Sequence, residues 1–251
     1  MEKRNLWNRQ ELLLAINLYC KTPFGKLHQH NPDIVKLSHL LGRTPSALTW
    51  KLVNFASLDP SIQARGIKGA QNSSSLDKEI WNEFFDNWDK LAFESEVLLN
   101  NWEEKIEDTR EPKIEHEGYE VDRTIRTRVN QSFFRSTLLA SYNSKCCVTG
   151  ISNPDFLIAS HIVPWSIDKN NRLNPRNGIL INALHDKAFE YGYITISTDY
   201  KILVSSELLK TGDKSSQELI GQYHEKELIL PSRFLPDLDF LKYHNNEKFR
   251  N

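Results

Sequence analysis

The sequence predicts an α+β protein, with an all-helical first part and a second part built from short strands around a helix. Two observations carry that prediction. As far as Ile106, apolar residues recur at helical spacing behind capping residues. Beyond the middle of the chain the apolar runs shorten and are bounded by Gly, Pro and Asn, as strands are. With 251 residues, 39% of them hydrophobic, the chain has enough apolar material for one large core or two smaller ones.

The helices can be justified in order. Asn8 caps the first, with Glu11 placed to complete a capping box ahead of Leu12, Leu13, Leu14 and Ile16. Pro23 and Gly25 end it. Asn31-Pro32 opens a second helix carrying Ile34, Val35, Leu37 and Leu40, and Gly42-Arg43 breaks it. Thr44-Pro45 starts a third, with Leu48, Leu52, Val53 and Phe55. Two short helices joined by a tight glycine-containing turn make a helix-turn-helix pattern, whose second helix can enter the DNA major groove. Arg43, Ser46, Thr49 and Trp50 are then candidates to reach bases, with Lys51 and Asn54 touching phosphates or bases. The stretch LWNRQELLLAINLYC…LSHLLGRTPSALTWKL resembles Myb-like and SANT-like helical modules. Plain scaffolding is the alternative reading of such a hairpin.

A net charge of −1 conceals a division along the chain. Residues 1–70 carry ten Lys/Arg against four Asp/Glu, 71–120 carry five against fifteen, and 121–251 carry seventeen against fourteen. The basic first block favours DNA contact, and the asymmetry suggests a basic working surface beside an acidic connector. We therefore expect three parts: a helix-turn-helix module over 1–70, an acidic helical connector and linker over 71–120, and a further domain over 121–251. In the connector one long helical pattern runs from Leu76 towards Ile106, its Trp81, Phe84, Phe85, Trp88, Leu91 and Phe93 reading as core. Glu103 to Glu120 reads as the linker itself.

After the linker a helix is expected from Arg126 to Tyr142, with Arg126, Arg128 and Arg135 as surface charge or DNA-backbone contacts. Strand-like runs follow at Cys146–Val148, Phe156–Ala159 and Ile179–Asn182, then a helix over Ala183–Glu190. Further strands at Tyr193–Ser197 and Lys201–Val204 flank a Thr198–Tyr200 turn. Leu228–Leu230 reads as extended and Pro236–Tyr243 as a last helix. No apolar run approaches the roughly 20 residues that span a bilayer. No apolar stretch stands behind Met1–Asn5 as a secretory signal would require. A soluble, cytoplasmic protein without membrane contact is expected. Adjacent Cys146 and Cys147 are poorly placed to pair with each other.

The chemistry-bearing pattern lies between Ser141 and Gly192: His161, then Asn177 sixteen residues on, then His185 eight beyond. Strand, loop, short strand and helix, with those residues in those places, is the order of a ββα-metal hairpin. YNSKCCVTG, ASHIVPW and NPRNGILINALHDKAFEYGYITI resemble segments of the restriction-type branch of the HNH endonucleases, over roughly Arg126 to Val204. The resemblance implies a ββα-metal nuclease domain that hydrolyses phosphodiester bonds, and a role in restriction of foreign DNA, with modified DNA as a candidate substrate. It also implies double-stranded DNA as partner, and double-strand cutting would require a homodimer or two successive nicks.

The residues themselves suit that chemistry. A neutral imidazole can take a proton from water near neutral pH, and a hard divalent cation can act as a Lewis acid on the phosphate. His161 is the expected general base. By resemblance, Asn177 orients that histidine or braces the loop, and His185 is the leading metal ligand. Asp186 is the second candidate ligand, its plain alternative being a first-turn carboxylate on a helix. Ser160 stands where many relatives carry Asp, Glu or His, and a hydroxyl is a weak ligand. Arg172 and Arg176 in the intervening loop are expected to hold the scissile strand. One divalent ion is expected, Mg²⁺ first and Mn²⁺ or Ni²⁺ next, because oxygen-rich sites suit Mg²⁺. No structural zinc is expected, since Cys146 and Cys147 lack a second CxxC. Pro164 and Trp165 read as packing at the strand end, and His28, His30, His39, His116, His224 and His244 as ordinary residues. Two rival functions remain open: a non-catalytic DNA-binding regulator retaining the hairpin, which Ser160 favours, and a nuclease acting on RNA or single strands.

Overall fold

A computed structural model describes residues 6–66, 73–85, 87–107, 119–211 and 213–250. Of residues 103–129 only the helical backbone at 103–107 and 119–129 is described. The expected linker core at 108–118 and the side chains of Arg126 and Arg128 thus lie outside the described residues. The chain divides into two compact units, Met1–Ser136 and Thr137–Asn251.

The first unit is helical: α1 (Arg9–Lys21), α2 (Pro32–Leu40), α3 (Pro45–Leu58), α4 (Pro60–Ala64), α5 (Ser75–Phe85) and α6 (Trp88–Glu107). The caps are those the sequence specifies. Asn8 Oδ1 accepts from Glu11 N at 3.0 Å while Asn8 N donates to Glu11 Oε2 at 2.9 Å, a complete capping box. Asn31 caps α2 by accepting from Asp33 N and Ile34 N, and Thr44 caps α3 by accepting from Ala47 N. Between them the chain turns through Gly42 at φ +62°, a left-handed conformation that suits glycine. Helix α1 lies at the centre, buried from Glu11 to Asn17, and packs against α3, α5 and α6.

Two expectations for this region are corrected. The pattern from Leu76 to Ile106 is two helices, because Asn87 stops the first and caps the second, its Oδ1 accepting from Lys90 N. Nor do these helices form a separate connector. Ile80, Trp81, Phe84, Trp88 and Leu91 are buried, and α5 and α6 pack on α1 within the first unit. The charge division follows from this packing. Arg9 pairs with Glu83 and Glu94, Lys21 with Glu96, and Lys51 with Asp77, so the basic first block meets the acidic second block inside one folded unit.

Helix α7 (Tyr119–Ser141) carries the boundary between the units. The second unit has two hairpins. Strand β1 (Leu157–His161) pairs antiparallel with β2 (Gly178–Asn182), placing Leu157 opposite Asn182 and His161 opposite Gly178. Helix α8 (Ala183–Glu190) follows directly, capped by Asn182, and packs on both strands. All five residues of β2 are buried, which is why it reads as a continuous apolar run. Strands β3 (Ile194–Ile196) and β4 (Ile202–Val204) form the second hairpin, followed by α9 (Ser206–Thr211), α10 (Lys214–Leu219) and α11 (Leu238–Glu247).

Cys146–Val148 is not a strand. The segment is a tight turn in which Cys147 N donates to the Leu180 carbonyl at 2.7 Å and Ile229 N to the Cys147 carbonyl at 2.8 Å. Helix α11 closes the unit: His244 lies parallel on Phe189 of α8 with centroids 3.7 Å apart, and its ring nitrogens meet the Thr195 hydroxyl and the Phe189 carbonyl. Gly192, at φ +74°, lets the chain pass beneath that helix end, since a Cβ there would lie 1.9 Å from the Lys248 carbonyl oxygen. No described helix is long and apolar enough to cross a membrane.

Candidate active site

His161 ends β1, and the loop that follows returns to Asn177 just before β2. That loop is stapled by its own polar side chains. Asn177 is fully buried; its Oδ1 accepts from Val163 N at 2.8 Å, and its Nδ2 donates to the Val163 and Asn171 carbonyls at 3.1 and 3.2 Å. Asp168 accepts from Asn170 N, Asn171 N and Asn171 Nδ2, and Asn174 Nδ2 donates to Asn171 Oδ1. Of the two roles expected for Asn177, bracing the loop is the one its contacts perform. Those contacts reach the backbone at Ile162 and Val163, directly after His161.

The same loop holds the imidazole. His161 Nε2 lies 2.7 Å from the Arg172 carbonyl oxygen. A carbonyl only accepts, so Nε2 carries the hydrogen and the neutral ring presents its lone pair at Nδ1. Burial pushes the His161 pKa below its ordinary value, opposed by the Arg172 carbonyl, so the ring is neutral at pH 7.

At the other end of the hairpin, Cys146 organises the start of α8. Its Sγ accepts from Val148 N, Thr149 N, Asn182 N and Asn182 Nδ2 at 3.3 to 3.4 Å. The neighbouring Cys147 thiol, with these donors, holds Cys146 down to about 4, while burial pushes Cys147 up. Asn182 Oδ1 in turn accepts from His185 N and from His185 Nδ1, both at 3.1 Å. His185 is 3% exposed, with its Nε2 buried and without a hydrogen-bond partner. Burial lowers its pKa too, opposed by the charge of Cys146 and by the Leu219 backbone.

The His185 Nε2 has the chemistry of a metal ligand, and a neutral imidazole suits Ni²⁺ better than Mg²⁺ or Mn²⁺, which prefer oxygen. It has no ready companions. Among the described residues no three His, Cys, Asp or Glu side chains stand close enough to hold an ion. Asp186 is half-buried in the first turn of α8, and Ser160 sits opposite Ile179 in β1.

Several expected DNA contacts are engaged internally. Arg43 makes a paired contact with Glu11, Nε to Oε1 at 2.9 Å and Nη2 to Oε2 at 2.8 Å, and also reaches the Leu6 carbonyl. Lys51 Nζ holds both oxygens of the buried Asp77 at 2.8 and 2.9 Å, and Asn54 is buried against the same carboxylate. Arg43, Lys51 and Asn54 therefore bind the first unit together rather than face outward. Ser46 is exposed, Thr49 bonds back to the Pro45 carbonyl, and Trp50 is 62% exposed. Arg176 pairs with Asp237 at 2.6 Å. Arg172 instead lies over the ring of Trp165, 5.1 Å from its centroid. Trp165, expected as packing, is 46% exposed. The staples Asp168 and Asn171 were missed; the run DKNNRLNPRN is rich in turn-forming side chains and was the available signal.

Two buried histidines, His185 and His244, and the half-buried His161 should make the second unit acid-sensitive. Burial takes His244 down to about 4 and lowers His161 and His185 as well. The unfolded chain accepts a proton on each near 6.5, whereas the folded unit accepts it only at lower pH. The stabilisation is therefore complete above that value and is lost as pH falls. For His244 alone the expected loss between pH 6.5 and about 4 is on the order of 3 kcal/mol. Denaturant midpoints of the protein measured across that window should fall with pH; a flat profile would rule the effect out.

A family model for HNH endonucleases matches residues 146–197. The comparison with curated proteins gives no match. The matched segment contains β1, the stapled loop, β2 and α8, with His161, Asn177 and His185. It supports the HNH family for this part of the chain. HNH domains are generally nucleases acting on nucleic acid, and they typically use a divalent metal.

Proposed function

We propose that the second unit is an endonuclease domain that hydrolyses phosphodiester bonds in duplex DNA, with His161 as general base. The observation that carries this reading is the His161 Nε2 bond to the Arg172 carbonyl, which leaves Nδ1 as the basic nitrogen in a rigid loop within the HNH-matched segment. Nδ1 takes a proton from water, and the resulting hydroxide attacks phosphorus as the bond to the leaving 3′-oxygen breaks. The Arg172 guanidinium meets charge building on the nonbridging oxygens. A divalent ion, when bound, would supply Lewis-acid charge there, with His185 as the ligand this chain offers, Asp186 next to it in sequence and Ser160 on β1. In the first unit, the exposed Ser46 and Trp50 on α3 are the residues left to touch DNA. The restriction-type resemblance suggests defence against foreign DNA in the cytoplasm, with modified bases as one substrate class.

A regulator that binds without cutting is favoured by one feature, the lack of a three-donor cluster among the described residues. Supercoiled plasmid, unmodified and cytosine-modified, is incubated with the protein and Mg²⁺, Mn²⁺ or Ni²⁺, beside EDTA. Duplex, single-stranded DNA and RNA are added as competitors. Metal-dependent nicking or linearisation competed best by duplex is the expected result. Tight duplex binding without cleavage under any metal establishes the regulator instead, and preferential loss to RNA or single strands reassigns the substrate.

A further inference from the structure

The loop after β1 carries an exposed aromatic ring that is linked through Arg172 to the candidate base. Trp165 is 46% exposed and Ile167 57% exposed, on a turn closed by donation from Ile167 N to the Pro164 carbonyl at 2.9 Å. The Arg172 guanidinium lies over the Trp165 ring, and its Nε donates to the Trp165 carbonyl at 3.1 Å. The Arg172 carbonyl in turn accepts from His161. Ring, guanidinium and imidazole thus form one connected chain of contacts, held by the Asp168, Asn171 and Asn177 staples.

We infer that Trp165, backed by Arg172, is a stacking platform for a nucleobase flanking the scissile phosphate. The inference rests on the nuclease reading above and adds a contact to base that the hydrolytic chemistry does not require. Three arguments select a nucleobase as the occupant. The platform is continuous with the candidate base through Arg172. A cation held at the ring complements the phosphates on either side of a base. A flat aromatic on a rigid loop loses little conformational freedom on stacking, and bases stack on such rings without regard to sequence. Because a paired base hides its faces in the duplex, the substrate at the cut would be a base step that is opened, with Ile167 placed as the apolar wedge beside it.

The test uses full-length His161→Gln, which retains an amide N–H for the Arg172 carbonyl but no base, so bound DNA stays intact. Affinities for a random-sequence duplex and for oligo(dT) are measured against salt, with and without Trp165→Ala or Trp165→Phe, alongside tryptophan fluorescence. Trp165→Ala should weaken binding roughly 5- to 150-fold at every salt concentration without changing the salt slope, as lost stacking does. Trp165→Phe should retain most of the affinity but lose the quenching that DNA produces. Arg172→Ala should instead flatten the salt slope by about one, as loss of a phosphate contact does. Unchanged affinity and quenching on adding either Trp165 substitution, while the protein with His161 intact cuts plasmid, overturns the platform alone. Failure to bind any nucleic acid overturns the platform and the nuclease reading together. Thermal melts of each variant confirm that this exposed position leaves the unit folded.

Discussion

His161→Ala should lower the single-turnover cleavage rate by about 10²- to 10⁴-fold, the usual contribution of a positioned general base, while leaving DNA affinity nearly unchanged. His161→Gln should be as slow, although its amide can satisfy the Arg172 carbonyl. The comparison separates loss of the base from loss of the loop contact, because a purely structural histidine would be rescued by Gln. The pH profile gives a second check. The base must be unprotonated, and burial holds its pKa below the ordinary 6.5. The wild-type rate should therefore rise with pH through a value below 6.5 and be flat at neutral pH. A rate that still climbs through pH 7, or a Gln variant with wild-type turnover, removes His161 from the proton transfer.

Asp77→Ala should cost the first unit about 3–5 kcal/mol, as removing one partner of a buried ion pair does. The carboxylate is fully buried and accepts from Lys51 Nζ, from Asn54 Nδ2 and from Ser74 N. Its loss strands an ammonium whose side chain is 12% exposed. The double variant Asp77→Ala/Lys51→Met should recover much of the stability, because no unpaired charge is then left inside. Urea unfolding followed by far-UV circular dichroism measures both. Equal loss in the single and double variants would show that the pair contributes through shape alone.

The local signals in the sequence carried far. Helix α8 occupies Ala183–Glu190 as the pattern indicated, and the caps at Asn8, Asn31 and Thr44 sit where side chain and following residues required. These are short-range facts, fixed by backbone donors within three residues of the cap. What stayed illegible was long-range. Nothing in the first block reveals that Arg43 turns to Glu11 or Lys51 to Asp77, so positive charge that reads as a surface for DNA is in part mortar. The Cys146–Val148 run has strand-like composition, but it is drawn into a turn by donors converging on one sulfur. The site was readable as a set of residue types in order, His161, Asn177 and His185. The loop whose Arg172 carbonyl meets the first of them is stapled by Asp168 and Asn171, whose hydrogen bonds exist only once the loop has closed.

The stacking of His244 on Phe189, and the passage of the chain beneath Gly192, tie the helix that carries His185 to the last described helix. The family-matched segment stops at residue 197, yet the wall behind α8 is supplied by α11, about fifty residues later in synthesis. A nascent chain with α11 still in the ribosomal exit tunnel has the matched residues but not their support. Its Phe189 is uncovered, and β3 lacks the helix that packs on it. Helix α11 thus completes the packing around the helix that carries His185, although it lies outside the family-matched segment.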